Sequence, residues 1–176
     1  RGGYLFLALV LLLAPAPAGG WIWAGLAAIA LGLTMRALAA ATLVKIKGLT
    51  THGIYQATRN PLYVGNSLIG VGFACFGGSW GWLVACLILF GLVYRGLILA
   101  EEAFLLERHP DSYPAYVASV PRFLPNPLKF TALPGTLSAE SLAKNREAKN
   151  LLGTMTGLAL LLAKSLILRP GQYWWG

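Results

Sequence analysis

The chain has 176 residues, of which 57% are hydrophobic and 11% are charged, and its mean hydropathy is +0.65. A soluble domain usually carries about 25% charged residues, so this composition argues against a soluble globular enzyme and against a disordered chain. The formal net charge of +8 is compatible with nucleic-acid binding or with the positive cytoplasmic loops of a membrane protein.

Apolar segments dominate the chain. In order they are Tyr4–Ala14, Trp21–Val44, Leu62–Phe76, Trp80–Ala100 and Leu151–Leu168. A spanning helix needs about 17–25 apolar residues, a length that the second and fourth segments have and that the fifth reaches marginally. The third segment is short, but Pro61 suits the first turn of a helix. The pattern predicts an all-α integral membrane protein with about five transmembrane helices.

The first segment has two interpretations. It is followed by Ala14-Pro15-Ala16-Pro17-Ala18, so it resembles a cleaved signal peptide as well as a short helix that ends at the prolines. Because four further apolar segments already place the chain in a membrane, we favour the plain first helix.

The distribution of basic residues predicts the topology. Most of them lie between the second and third segments and between the fourth and fifth, whereas residues 15–20 and 77–79 contain no charge. Positive loops stay in the cytoplasm, which places the N-terminus inside and residues 101–149 in a cytoplasmic cap. The short 77–79 connection predicts an antiparallel hairpin of segments three and four. Basic residues divided among loops do not indicate nucleic-acid binding.

Ionisable residues near the cytoplasmic face are candidates for function. Glu101 and Glu102 are adjacent on a predicted helix, so their side chains point about 100° apart and cannot face one ligand in the same way. An acidic pair that only solvates the end of a helix is the alternative. Arg36 lies roughly 22 Å along its helix from Trp21. It either snorkels to the head groups, which we favour, or reaches into the polar region at the cytoplasmic face, where charges of both signs could hold a charged cofactor.

The sequence gives little support for a metal site or for a reactive cysteine. The only histidines are His52 and His109, and no H-E-x-x-H or C-x-x-C pattern is present, so we expect no metal site. The only cysteines, Cys75 and Cys86, lie within apolar segments, where a thiol is usually inert.

One run of residues resembles a known family. Residues 53–65 read GIYQATRNPLYVG and are similar to the G-x-Y-x-x-x-R-H-P-x-Y-x-G signature of isoprenylcysteine carboxyl methyltransferases. Further matches follow in order: the Glu101-Glu102 pair, the spaced tyrosines Tyr113 and Tyr116, and Val120-Pro121-Arg122-Phe123-Leu124-Pro125. The resemblance covers about residues 50–127. The related phospholipid methyltransferases share the glycines of Gly70-Val71-Gly72 and the acidic pair.

The resemblance implies S-adenosylmethionine as cofactor and a lipophilic, membrane-borne methyl acceptor. We expect carboxyl O-methylation of an isoprenylcysteine-like substrate. The alternatives are N-methylation of a phospholipid of the phosphatidylethanolamine type and a non-catalytic membrane scaffold or lipid-binding protein. The expected organisation is a single domain over residues 1–176, with a shared core at about 50–127 and an additional C-terminal transmembrane helix at about 150–168. The active site is expected to face the cytoplasm.

The resemblance also implies roles for individual residues. It assigns cofactor binding to Asn60, Tyr63, Gly65, Glu101, Glu102, Tyr116, Arg122 and Phe123. It assigns catalysis to Arg59 and Glu102 and orientation of an anionic acceptor to Arg36 and Arg59. The sequence departs from the signature at Asn60, where the family has histidine. Asparagine keeps a donor and an acceptor but cannot titrate. Since an amine acceptor must first lose a proton, this departure favours an oxygen acceptor.

Overall fold

The computed structural model describes residues 19–43, 48–129, 139–145 and 147–167. These residues contain helices and no strand, which confirms the predicted all-α fold. The α-helices are α1 (Gly20–Thr42), α2 (Pro61–Cys75), α3 (Trp80–Arg108), α4 (Tyr113–Ser119), α5 (Ala139–Lys144) and α6 (Glu147–Ile167). Short 3-10 helices lie at Gly53–Gln56 and Pro127–Lys129.

Three of these helices, α1, α3 and α6, are long and apolar enough to cross a membrane. They correspond to the second, fourth and fifth predicted segments. Helix α2 begins at Pro61, as predicted, but has 15 residues, and its length of about 22 Å is less than a hydrocarbon core of about 30 Å. The first predicted segment, together with its signal-peptide alternative, lies outside the described residues.

Helix α3 extends beyond the apolar segment that predicted it. It continues from Ala100 to Arg108, because no helix-breaking residue occurs before Pro110. The acidic pair Glu101-Glu102 therefore lies within a regular helix and not at its exit.

The described residues form two compact units, one from the described parts of residues 1–32, 67–91 and 149–176, and the other from the described parts of residues 33–66 and 92–148. In the first unit α1 and α2 touch through glycines. A Cβ atom added to Gly72 would lie 2.7 Å from the carbonyl oxygen of Gly25. The neighbouring side chains Ile29 and Phe76 are buried. Small residues thus allow the two backbones to approach closely, as is common in membrane helices.

The turn after α2 has the geometry that its glycines predict. Gly78 has a φ of 63°, which a residue without a side chain adopts without strain. The indole ring of Trp82 lies against Gly77, where a Cβ atom would come within 1.9 Å of the ring. Further along, the Phe90 ring covers Gly70. These contacts confirm the predicted antiparallel hairpin of α2 and α3.

In the second unit a polar loop is fixed against the end of α1. Ile54 and Tyr55 of the first 3-10 helix are buried in a cluster with Ala39. Gly53 has a φ of 59° and approaches the Thr42 methyl group so closely that a Cβ atom would lie 2.9 Å from it. This packing positions the segment that leads into α2.

Candidate functional site

The candidate site lies in the second unit, where two loop segments run side by side. The Arg59 amide donates to the Pro121 carbonyl oxygen at 2.9 Å, and the Asn126 amide donates to Ala57 at the same distance. The Thr58 hydroxyl donates to the Phe123 carbonyl oxygen at 2.9 Å. These bonds bring residues 57–60, just before α2, next to residues 121–126, which follow α4. We call the place where these two segments meet the junction.

Glu102 is the centre of the polar side chains at this junction. Arg122 binds its Oε2 through Nε at 3.0 Å and Nη2 at 2.9 Å. Arg59 Nη1 lies 3.2 Å from its Oε1. Asn60 Nδ2 donates to the same Oε1 at 3.4 Å and to the Arg122 carbonyl oxygen at 2.9 Å. One carboxylate therefore holds two arginines and the asparagine that replaces the signature histidine.

The two arginines differ in their exposure. The Arg59 side chain is 8% exposed and that of Glu102 is 11%, so their ion pair is buried. The Arg122 side chain is 53% exposed. Arg122 is therefore the partner that can turn towards a ligand at little cost, because an exposed ion pair is worth at most about 1 kcal/mol.

The adjacent glutamates face different surroundings, as their helical spacing predicts. Glu102 is buried, whereas Glu101 is exposed. Glu101 lies within hydrogen-bonding reach of the Tyr63 hydroxyl on α2. The Tyr63 ring packs edge-on against Tyr94, with 5.6 Å between ring centroids.

Two tyrosines attach α4 to the site. Tyr113 and Tyr116 are buried together with Val120. The Tyr116 hydroxyl donates to the Tyr55 carbonyl oxygen at 2.7 Å. Burial raises the pKa of both the Tyr113 and the Tyr116 hydroxyl above the ordinary value. Both groups are therefore protonated, and able to donate, at neutral pH.

Some buried donors at the junction have no hydrogen-bond acceptor. Nε and Nη1 of Arg59 make no hydrogen bond, although Nη1 is at ion-pair distance from Glu102. The buried Tyr113 hydroxyl lies within hydrogen-bonding reach of the Arg59 side chain.

Arg36 belongs to a separate polar cluster. Its Nη2 and Nε bind the two carboxylate oxygens of Glu147 at 2.6 and 3.2 Å, and its Nη1 donates to the Asn66 side chain. The Arg36 side chain is 9% exposed. The expectation that it snorkels to head groups is therefore wrong, because a carboxylate from α6 neutralises it inside the protein.

A comparison with protein families decides the classification. The family model described as phospholipid methyltransferase matches residues 18–112, which is more than half of the chain. The chain belongs to the phospholipid methyltransferase family. This is the group of membrane methyltransferases that includes the isoprenylcysteine carboxyl methyltransferases, so the resemblance found in the sequence is confirmed. No curated protein and no solved structure shows significant similarity to the chain.

The residues to which the resemblance assigns binding or catalytic roles lie in separate clusters in the structure. Arg59, Asn60, Glu102 and Arg122 come together, and Phe123 joins them through its backbone. The family match includes the first three of these and ends before Arg122. Tyr63 and Glu101 form a neighbouring pair, Gly65 is buried within α2, and Arg36 lies in the cluster with Glu147.

Sequence reasoning gave no role to four residues at these sites: Thr58, Asn66, Tyr113 and Glu147. Thr58 lies within the 53–65 run and Tyr113 is one of the spaced tyrosines, so the motifs already indicated that both residues belong to the site. Glu147 carries no local signal, because its partner is 111 residues away.

A cleft of about 860 Å³ opens beside α4 in the second unit. Of the residues assigned to the cofactor, Tyr116 alone lines it. Its other polar lining includes Thr51, His109, Ser112, Ser119 and Lys129. The cleft is therefore distinct from the junction around Glu102.

Proposed function

We propose that the protein transfers a methyl group from S-adenosylmethionine to a lipophilic acceptor in the membrane, at the junction around Glu102. The observation that carries this proposal is the buried meeting of Glu102 with Arg59 and Asn60, which the family match includes. A charged cluster that a membrane protein builds from distant segments is a functional candidate by default.

The residues present fit the cofactor. S-Adenosylmethionine carries a carboxylate, an ammonium group and ribose hydroxyls, and it supplies an electrophilic methyl group when bound. Arg122 is half exposed and has donors for the carboxylate. Glu101 is exposed and accepts hydrogen bonds from an ammonium group or from hydroxyls. In this proposal Tyr63, Gly65 and Asn60 shape the adenosine pocket, and Tyr116 and Phe123 close it from the side of α4.

The proposed role of the protein in the reaction is positioning and exclusion of water. An in-line methyl transfer gains chiefly from alignment of the two reactants. Glu102 keeps Arg59 and Asn60 in fixed positions, and Arg59 orients an anionic acceptor. In this proposal Arg36 stabilises the fold around the acceptor through Glu147 and Asn66.

The junction favours an oxygen acceptor. A carboxylate needs no general base, whereas an amine must lose a proton first. Both carboxylate oxygens of Glu102 are engaged by arginine or asparagine groups, and Asn60 cannot titrate. We therefore propose carboxyl O-methylation of an isoprenylcysteine-like substrate as the specific reaction.

Phospholipid N-methylation is the second candidate. It is favoured by the description of the matching family and by the exposure of Glu101, which is free of an arginine partner among the described residues and is the available base. For either reaction we propose that the junction faces the cytoplasm, as the positive loops predict.

The experiment uses the purified protein in nanodiscs with methyl-labelled S-adenosylmethionine. One reaction contains an S-farnesylcysteine derivative and the other contains phosphatidylethanolamine. Label that mild base releases as methanol identifies a methyl ester, whereas label that resists base identifies an N-methyl group. If Glu101 is the base, Glu101→Gln should lower the N-methyl product far more than the methyl ester, because both reactions use its cofactor contact and only N-methylation needs a proton acceptor. A protein that neither transfers label nor binds S-adenosylhomocysteine would be a non-catalytic scaffold, and the proposal would be wrong.

A further inference from the structure

One positive charge on α3 lies among exposed apolar side chains. Leu92 and Leu99 stand three residues before and four residues after Arg95, so they lie on the same side of the helix. These leucines are 69% and 41% exposed, and Arg95 is exposed as well. Because α3 is long and apolar enough to cross a bilayer, side chains exposed on this side face lipid.

The protein supplies no counter-charge to Arg95 from the part of the chain that the structure describes. None of those residues forms a hydrogen bond or an ion pair with it. Arg36, Arg59 and Arg122, by contrast, each pair with a glutamate. An unpaired cation within the apolar part of a membrane helix is unfavourable, and such residues are usually functional. An anion from the surroundings would therefore stabilise Arg95.

The depth of Arg95 determines which anion reaches it. Arg95 lies six residues before Glu101, about 9 Å along the helix, and thus inside the apolar segment that ends at Ala100. Its Cα–Cβ bond tilts towards the N-terminus of α3 and away from Glu101. The side chain therefore does not extend fully towards the aqueous boundary. A phospholipid can place its phosphate beside the guanidinium and its acyl chains against the two leucines.

We propose that Arg95 binds the phosphate of a phospholipid with a net negative charge, on the lipid-facing side of α3. The planar guanidinium matches two oxygens of one phosphate. A zwitterionic lipid offers the same phosphate, but its own ammonium group offsets the negative charge, so an anionic lipid is preferred. This lipid is a bound ligand and not the methyl acceptor. The site depends on α3 crossing the bilayer and not on the proposed methyl transfer.

Phosphatidylglycerol is the probe, and phosphatidylcholine with the same acyl chains is its reference. The affinity of the purified full chain for each lipid is measured in a neutral detergent by native mass spectrometry, from the fraction of protein that retains one lipid. We expect phosphatidylglycerol to bind about tenfold more tightly than phosphatidylcholine. Arg95→Gln should remove this preference, because a hydrogen bond between two charged groups is lost. Arg95→Lys should keep part of it, since lysine keeps the charge but lacks the planar fork.

Arg108→Gln is the matched control. It removes the same charge from an exposed position on the same helix, about 20 Å further along and beyond the apolar segment. This variant should prefer phosphatidylglycerol as the unmodified protein does. Arg95→Gln should unfold no more readily than the unmodified protein in detergent without lipid, because the arginine has no partner among the described residues to lose.

Two outcomes would overturn the lipid site: equal affinity of the unmodified protein for the two lipids, or an unchanged preference in Arg95→Gln. If Arg95→Gln alters the oligomeric state and the unmodified protein shows no preference for phosphatidylglycerol, this side of α3 contacts a second copy of the chain, and the proposal is wrong. Binding of S-adenosylhomocysteine tests the proposed function separately, and its absence would leave the lipid site in place.

Discussion

The stability of the junction depends on one buried charge, and Glu102→Gln removes it. The buried pair with Arg59 dominates the expected effect, because removal of one partner of a buried ion pair costs about 3–5 kcal/mol. The pair with Arg122 adds at most about 1 kcal/mol, since the Arg122 side chain is 53% exposed. Glutamine keeps one oxygen acceptor, so we expect a loss near the lower limit, about 3 kcal/mol.

Thermal unfolding in one fixed detergent measures this loss. For a chain of this size 1 kcal/mol corresponds to about 2–4 °C, so the expected decrease in Tm is on the order of 6–12 °C. The matched control is Glu101→Gln, the same substitution on the exposed neighbour, which should change stability by less than about 0.5 kcal/mol.

A double variant isolates the contribution of the pair. Arg59→Gln combined with Glu102→Gln removes both buried charges, so its loss should be smaller than the sum of the single losses by about 1–3 kcal/mol. Equal effects of the two glutamate substitutions, or strict additivity with Arg59→Gln, would refute the idea that Glu102 compensates a buried arginine.

Three further predictions concern helix packing, cofactor binding and topology. Gly72→Ala should destabilise the protein by about 1–3 kcal/mol in the same unfolding assay, because its Cβ would lie 2.7 Å from a facing carbonyl oxygen; Gly91→Ala, with no atom within 4 Å, should not. Asn60→Leu should weaken S-adenosylhomocysteine binding at least about tenfold by calorimetry, whereas Asn60→His should retain part of it; wild-type affinity in Asn60→Leu would mean that the amide only fills space. In a cysteine-free chain within intact cells, Ser79→Cys should react with an impermeant maleimide and Ser119→Cys should not; equal labelling would contradict the proposed topology.

Much of the fold follows from local sequence signals. Hydropathy identifies α1, α3 and α6, because a segment that crosses a bilayer must be apolar along its whole length. Pro61 marks the start of α2, and the glycines at 77 and 78 mark the turn, because both features are properties of one or two residues. The motifs also group Asn60, Glu102 and Arg122 correctly, since family resemblance carries information about distant contacts.

Local sequence signals do not show which residue a buried charged side chain pairs with. The depth of Arg36 along its helix predicts snorkelling, but the choice between lipid head groups and a protein carboxylate depends on where α6 begins. The resemblance likewise assigns Arg122 to a ligand carboxylate without showing that Arg122 also pairs with Glu102. In both cases the decisive contact joins residues that are far apart in the chain, and its energy depends on burial that only the folded structure defines.

The hydrogen bonds of Asn60 account for the presence of asparagine where the family signature has histidine. Its Nδ2 group has two hydrogens, and the structure uses that group for two acceptors, Glu102 Oε1 and the Arg122 carbonyl oxygen. One nitrogen of a neutral histidine ring donates a single hydrogen, so histidine would satisfy both acceptors only if each ring nitrogen carried a proton. A protonated ring would add a third positive charge to a junction that already holds two arginines and one carboxylate. Asparagine makes the same connections without that charge. The substitution is therefore compatible with an intact binding junction, provided that the reaction at this site needs alignment of the reactants and not a titratable group at position 60.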